Sequence, residues 1–308
     1  MTAKRWIIGI DLGGTNTRIG LLDDALHIKG RVVSPTKKII NRERLLDFLS
    51  CAVDDLLSGR GLKRRDVCGI GMGLPGPVDA RKGIVYYLPN IRGWRDVALA
   101  AVIKKRIGIS ARIDNDVNLI TLGELYRGAG RGAGNMVCLT LGTGVGGGIV
   151  VGGSLYRGSS FSAGEIGHIP LSSRGPKCGC GARGCLESYV GNARIIRKAR
   201  KIWRDIDLPG LSQKAVVGDI KAIAVWRDIG EHLGLALCGV VNFFNPDRIV
   251  IGGGVSAAGE TLFSVVRDVI RKRAMSPAKD RVKIVRARLG DDAGLIGAGV
   301  YVRQRTEG

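Results

Sequence analysis

The stretch "WIIGIDLGGTNTRIGLLD", Trp6 to Asp23, sets Asp11, Gly13, Gly14, Thr15, Asn16 and Thr17 between two apolar runs. Small residues let backbone N–H groups approach an anion closely, and threonine hydroxyls add donors, so the turn reads as a phosphate loop. Its flank decides the kind. In dinucleotide-binding and Walker loops the glycines lead from a strand into a helix, whereas Arg18 to Leu22 is short, apolar and closed by Asp23 and Asp24, which predicts strand, turn, strand. The pattern returns over a hundred residues later as "MVCLTLGTGVGGGIVVGGSLY". Met136 to Leu141 reads as a strand, Gly142 to Gly147 as a glycine turn containing Thr143, and Gly148 to Val151 as a second strand. The G-x-G-x-x-G spacing from Gly142 is satisfied, but a strand and not a helix follows, which disfavours a dinucleotide fingerprint. Two strand-turn-strand loops predict a duplicated α/β domain, each half presenting one loop to a shared cleft.

Working outward, Leu26 to Ser34 reads as a third strand and Arg42 to Leu57 as a helix. Val67 to Leu74 is a strand entering a Gly-Pro turn, Val102 to Ile107 ends a helix, and Ala111 to Ile113 is a short strand. This alternation is that of an α/β domain. Beyond the second loop, Glu187 to Trp203 and Ser212 to Phe244 read as mostly helical. "PDRIVIGGG" then gives a strand, Arg248 to Ile251, and a third turn, Gly252, Gly253 and Gly254, with a helix from about Ala258, a strand at Val282 to Val285 and a last helix at Asp292 to Val302. The third turn suits either a nucleotide's base and ribose against backbone or simple close packing of helix on strand.

At 308 residues the chain has the length of about two domains, and its 45% hydrophobic and 24% charged content is that of a soluble globular protein. No signal peptide is legible and no apolar stretch reaches the ~18 residues of a membrane span, so a cytoplasmic protein without membrane contact is expected. The net charge of +21 raises nucleic acid as a partner. The basic residues nevertheless fall in short groups, 104–106, 197–201 and 271–273, that read as solvated helix faces, without a tail or interleaved aromatics, so nucleic acid is not expected. Cys51, Cys68, Cys138 and Cys238 read as small buried residues, His27 as exposed on a hairpin and His232 as a satisfied helix residue.

Two clusters can carry chemistry. In "IDNDVNLITLGE", Asp116 stands between a short strand and the apolar-periodic helix from Val117, where it suits either the helix N-cap or a general base taking the proton of a hydroxyl that attacks a γ-phosphate. In "AGEIGH" and "KCGCGARGCLE", His168, Cys178, Cys180 and Cys185 make a closed Cys₃His set suited to structural Zn²⁺. Such a metal would pin Glu165 and Glu187, so that its loss is expected to weaken a polyol far more than ATP. Walker A and H-E-x-x-H patterns are absent.

The ordered set "DLGGTNT", "GMGLPGPVD", "LPNIRGW", "NDVN", "LGTGVGGG", "AGEIGH", "CGCGARGCLE" and "IGGG" resembles the repressor/open-reading-frame/kinase (ROK) family, and within it the bacterial-type glucokinases, from Ile10 to about Gly299. The resemblance implies the actin-like ATPase (ribonuclease H-like) fold, two α/β domains around a cleft. The expected domains are a smaller one, 1–115 plus about 290–308, and a larger one, 116–289, with the zinc loop. It implies ATP-dependent phosphorylation of a hexose, glucose at its 6-hydroxyl first, in glycolysis, by a homodimer using Mg²⁺ and structural Zn²⁺. Asp116 would be the base. Asn90, Asn115, Glu165, His168 and Glu187 would contact sugar hydroxyls, with His168 also on zinc. Asp11 would lie near magnesium; Asp11, Gly13, Gly14, Thr15, Asn16 and Thr17 with Gly142, Thr143 and Gly144 would hold phosphates, and Gly252 to Gly254 would border the adenosine. Where many members read Gly-x-Asn-Gly before Ala-Gly-Glu, this chain has Gly158-Ser159-Ser160-Phe161-Ser162, which leaves mannose, N-acetylglucosamine and fructose open beside glucose. The competing class is a sugar-sensing regulator of the same family. Such proteins carry a helix-turn-helix before the first loop and can lose the catalytic aspartate, whereas ten residues precede Asp11 here and Asp116 is present.

Overall fold

Ile7 to Leu12 are all buried, as in a strand covered on both faces. In the computed structural model, which describes residues 6–39, 41–88 and 94–306, this strand, β1 (Trp6–Leu12), pairs antiparallel with β2 (Asn16–Leu22), and β2 pairs likewise with β3 (Ile28–Pro35). Helix α1 (Arg42–Ser58) crosses over to β4 (Val67–Leu74), which runs parallel to β1. The Asn41 side chain caps α1 by accepting from Arg44 N at 3.0 Å, and Leu45, Leu49, Ala52, Val53 and Leu56 recur at helical spacing to face the core. A small sheet of β5 (Val78–Asp79), β6 (Ile84–Tyr87) and β7 (Arg95–Val97), absent from the sequence reading, precedes α2 (Leu99–Ile107). Then β8 (Ala111–Asn115) joins parallel to β4, and α3 (Asp116–Arg127) follows directly. The first sheet has the order β3-β2-β1-β4-β8.

The second half repeats this plan. β9 (Met136–Leu141), β10 (Val145–Val151) and β11 (Ser154–Tyr156) form an antiparallel meander. The chain then builds α4 (Glu187–Val190), α5 (Asn192–Ala199), α6 (Leu208–Val216) and α7 (Ile220–Phe244) before β12 (Arg248–Gly252), which lies parallel to β9. After α8 (Glu260–Arg273) and α9 (Ala278–Arg281), β13 (Lys283–Arg286) adds parallel to β12, and α10 (Ala293–Thr306) ends the fold. The order is β11-β10-β9-β12-β13, with the same succession of antiparallel and parallel pairs. The duplication read from the two glycine turns is thus present strand for strand.

Two compact units result. The first holds the described residues up to Arg131, Arg157–Ser162 and those from Asp291 onward; the second holds Gly132–Tyr156 and Ala163–Gly290. The boundary expected at 115/116 therefore falls later, because α3 packs on α10. A Cβ on Gly123 would stand 2.3 Å from the Ala293 carbonyl oxygen, and one on Gly297 1.7 Å from that of Leu119, so the two backbones are in contact. Each unit has its own apolar core.

Smaller differences have local causes. The third strand starts at Ile28 because Leu26 sits in the turn at φ 60°. The helix expected over Glu187–Trp203 breaks at Gly191, and the one over Ser212–Phe244 breaks at Gly218, where the Asp219 side chain caps α7. Cys51 is exposed and Cys68 half-buried, while Cys138 and Cys238 are buried as expected. Among the described residues no helix is long and apolar enough to cross a membrane.

Candidate active site

In the first unit the acids come from one end of parallel strands. Asp11 on β1 is in register with Gly73 on β4, and Gly73 with Asp114 on β8, so the three form one row across the sheet. Gly73 leaves the middle of that row without a side chain. A Cβ there would lie 3.1 Å from the Cα of Asp116, which settles over the gap and so comes near Asp11.

Asp116 is not the cap of α3. The Asn115 side chain takes that role, accepting from Val117 N at 2.9 Å and Asn118 N at 3.3 Å, while its amide nitrogen donates to the Gly76 carbonyl at 3.3 Å. Asn115 therefore secures the turn, and Asp116 occupies the first helical position, half-buried. Asp11 is only 8% exposed. Burial pushes its carboxyl up to about 7, with Asp116 and Asp291 acting in the same direction and Arg18, 3.7 Å away, opposing them.

The first glycine turn is held from beneath. Thr36 Oγ1 donates to the Gly13 carbonyl at 2.7 Å and lies 3.0 Å from Thr17 Oγ1, and Thr36 N donates to Thr15 O. Thr17 is fully buried, and its hydroxyl lies inside the turn against that of Thr36. Gly14 and Thr15 are exposed. Asn90 lies outside the described residues.

In the second unit the Gly142–Gly144 turn is clamped from outside its hairpin. Val145 N donates to Glu187 Oε2 at 2.9 Å, and Asn192 N donates to Gly142 O at 3.0 Å. The "AGEIGH" segment is seated on β10 through glycines: a Cβ on Gly164 would stand 2.4 Å from Gly147 O, and one on Gly167 2.2 Å from Val145 O. Glu165 and His168 sit on this segment, with His168 Nε2 3.8 Å from Glu165 Oε2. Gly253 takes φ 82° with backbone at its Cβ position, 2.3 Å from Leu141 O, so close packing accounts for that glycine.

His168, Cys178, Cys180 and Cys185 bring one donor atom each within 4.8 Å of one another. His168 Nδ1 is 3.6 Å from Cys178 Sγ, and Cys180 Sγ is 3.8 Å from Cys185 Sγ. Tetrahedral zinc with ordinary bond lengths has S···S edges of about 3.8 Å and S···N edges of about 3.5 Å. Donor set and edges both fit the metal. Nδ1 is the nitrogen facing the thiols, which leaves Nε2 on the Glu165 side. Glu187 adjoins this cluster as well, its Oε1 3.8 Å from Cys178 Sγ, so both of its oxygens have partners and its first structural task is the Gly142–Gly144 turn.

Sequence reasoning passed over Thr36, Asp114 and Arg157. For Asp114 the alternation in "IDNDVN" was a usable signal, since two aspartates two positions apart flank one turn. Arg157 had none.

Comparison with known proteins agrees with this geometry. The ROK family model matches residues 7–305. A glucokinase of Halalkalibacterium halodurans is 39% identical, over 98% of this chain and 96% of the relative. The structure of a ROK family glucokinase from Streptomyces griseus in complex with glucose and AMPPNP superposes with a TM-score of 0.83 at 31% identity, covering 97% of this chain and 99% of that one. A ROK family transcriptional regulator described as a homolog of the E. coli MLC protein gives 0.88 at 26%, covering 97% and 78%. The paired sheets are those of the actin-like ATPase fold. Matched by the family model over nearly its whole length and by a close relative almost end to end, the chain belongs to the ROK family.

Proposed function

We propose that the protein transfers the γ-phosphoryl group of ATP to a hexose, with glucose and its 6-hydroxyl as the first acceptor. The observation that carries this reading is the pair of carboxylates at one end of the parallel strands, Asp11 and Asp116, brought near each other over Gly73 while Asn115 is the N-cap of α3. Asp116 accepts the proton of the sugar hydroxyl as its oxygen bonds to the γ-phosphorus and ADP departs. Gly14, Thr15, Thr143 and Gly144 would offer backbone donors to the phosphates, Gly13 N and Gly142 N being taken within the turns by Asn16 O and Gly144 O, and Gly252 to Gly254 would border the adenosine.

Asp11, buried and facing the charge of Asp116, suits a cation, and it would hold Mg²⁺, whose charge offsets that of the phosphates. Glu165 and the Nε2 of His168 orient sugar hydroxyls, with Asn90, Asn115 and Glu187 completing the set. Cys178, Cys180, Cys185 and His168 Nδ1 would hold Zn²⁺, which supplies a fixed loop shape. A homodimer and a cytoplasmic location belong to the same reading, the latter supported by seven cysteines with no disulfide among them.

The competing reading, a sugar sensor without turnover, is favoured by the likeness to the ROK regulator. Glucose, mannose, N-acetylglucosamine and fructose, each assayed with ATP for ADP release and ranked by kcat/KM, separate the two. Hexose-dependent ADP formation is expected, and its absence with every sugar would overturn the kinase reading.

A further inference from the structure

Asp114 is 1% exposed, one strand position before the turn that carries Asp116. Its Oδ1 accepts from Asn115 N at 2.8 Å and from Asn118 Nδ2 at 2.9 Å, which ties the end of β8 to the first turn of α3. Its Oδ2 accepts from Arg157 Nε at 2.7 Å. A buried carboxylate is costly without a partner, and Arg157 supplies the cation that pairs with it while its other oxygen holds Asn115 and Asn118. The guanidinium of Arg157 also faces the Tyr301 ring, 5.2 Å from its centroid, and Arg112 stacks on the same ring at 3.8 Å.

Arg157 opens the six-residue passage Arg157–Ser162 that belongs to the first unit although the chain on either side belongs to the second. The passage is fixed to the first unit again at Phe161, held at φ 61° with its ring 5.7 Å from the Arg81 guanidinium. This is the stretch where the sequence departs from the family pattern beside the sugar. One ion pair therefore fastens both the base-bearing turn and the sugar-side passage.

We infer that Arg157 is a positioning residue of the phosphoryl transfer. Through Asp114 it sets the Asn115–Asn118 turn, and so Asp116, relative to the passage that bounds the acceptor. This rests on the kinase reading.

The test uses Arg157→Ala, Arg157→Lys and the double variant Arg157→Ala/Asp114→Asn, assayed below the Tm of each. Arg157→Ala should lower hexose kcat/KM roughly 100-fold, with ATP KM within about threefold of wild type, as expected when reacting groups lose their alignment. Arg157→Lys should recover part of it, since an ammonium supplies the charge without the planar fork. Added guanidinium ion should raise the activity of Arg157→Ala and leave Arg157→Lys unchanged. The double variant removes the stranded charge, so its Tm should return towards wild type while hexose kcat/KM stays at least about tenfold low. Full activity in Arg157→Ala, or activity that returns together with Tm in the double variant, would overturn the inference by making Arg157 merely structural. Wild-type protein without hexose-dependent ADP release would instead overturn the kinase reading, and the positioning role with it.

Discussion

The two five-stranded sheets agree in order and direction, yet their glycine turns are secured by different means. In the first unit Thr36, just past β3, reaches under the turn to Gly13 and Thr17, so the hairpin and its own continuation do the holding. In the second unit the turn is gripped by Glu187 and Asn192, which arrive from the helices after the cysteine loop. The helix pairs differ in the same spirit. Gly123 and Gly297 bring α3 and α10 into backbone contact, whereas on α7 a Cβ at Gly230 or Gly234 would meet the Val265 or Val269 side chain at 2.8 or 2.7 Å. A repeated sheet thus fixes where a turn occurs and leaves open what stiffens it. The first turn depends on hydroxyls already in place, the second on a loop rich in thiols.

The largest effect should come from Asp116, the proposed base in the first unit. Asp116→Asn keeps a hydrogen-bonding side chain but cannot take a proton, so kcat should fall roughly 10²- to 10⁴-fold with hexose KM and Tm nearly unchanged. A near-normal kcat would remove Asp116 from that role.

Next comes the contrast between helix pairs, read by thermal unfolding. Gly297→Ala drives a methyl into the Leu119 carbonyl and should cost about 3 kcal/mol or more, while Gly234→Ala meets a side chain that can shift and should cost about 1 kcal/mol. Equal losses would erase the distinction between backbone and side-chain contact.

Zinc removal probes the second turn. Because Glu187 touches Cys178 and also holds Val145 N, the loss in Cys180→Ala should reach both substrates: KM for hexose and for ATP should each rise about tenfold or more. That differs from the expectation drawn from sequence, in which ATP was largely spared. Metal analysis should give about one zinc per wild-type chain. An unchanged ATP KM in Cys180→Ala would show that the clamp on the Gly142–Gly144 turn is independent of the cysteines. The smallest effect is a gain: Gly239→Ala, on α7 with open space at its Cβ, should stabilise by about 0.5–1 kcal/mol, and a loss would mean that this face of the helix is covered.

Much of this was legible early. Val67–Leu74 and Met136–Leu141 end where the sequence placed them, because a continuous apolar run bounded by glycine leaves little freedom in a strand covered on both faces. The grouping of His168, Cys178, Cys180 and Cys185 was legible because metal geometry constrains which residue types recur at short spacing. The capping of α3 was not: Asn115 and Asp116 are both good caps, and which one bends back depends on where β8 ends against β4. Nor was the small β5-β6-β7 sheet, whose strands are too short to show a period.

The sequence by itself determined the duplicated α/β plan, the two glycine turns, the aspartate that opens α3 and the cysteine cluster, since each is written in local patterns of polarity, glycine and ligand spacing. Only the tertiary structure decided that α3 belongs with the first unit, that Thr17 points inward, that Glu187 serves the second turn before any sugar, and that Arg157 pairs with Asp114. Those outcomes depend on residues 19 to 43 positions apart, or on helices from opposite ends of the chain, coming within a hydrogen bond or a van der Waals contact. No local pattern encodes such distances; the packing of glycine-lined backbones and the need to pair a buried charge do.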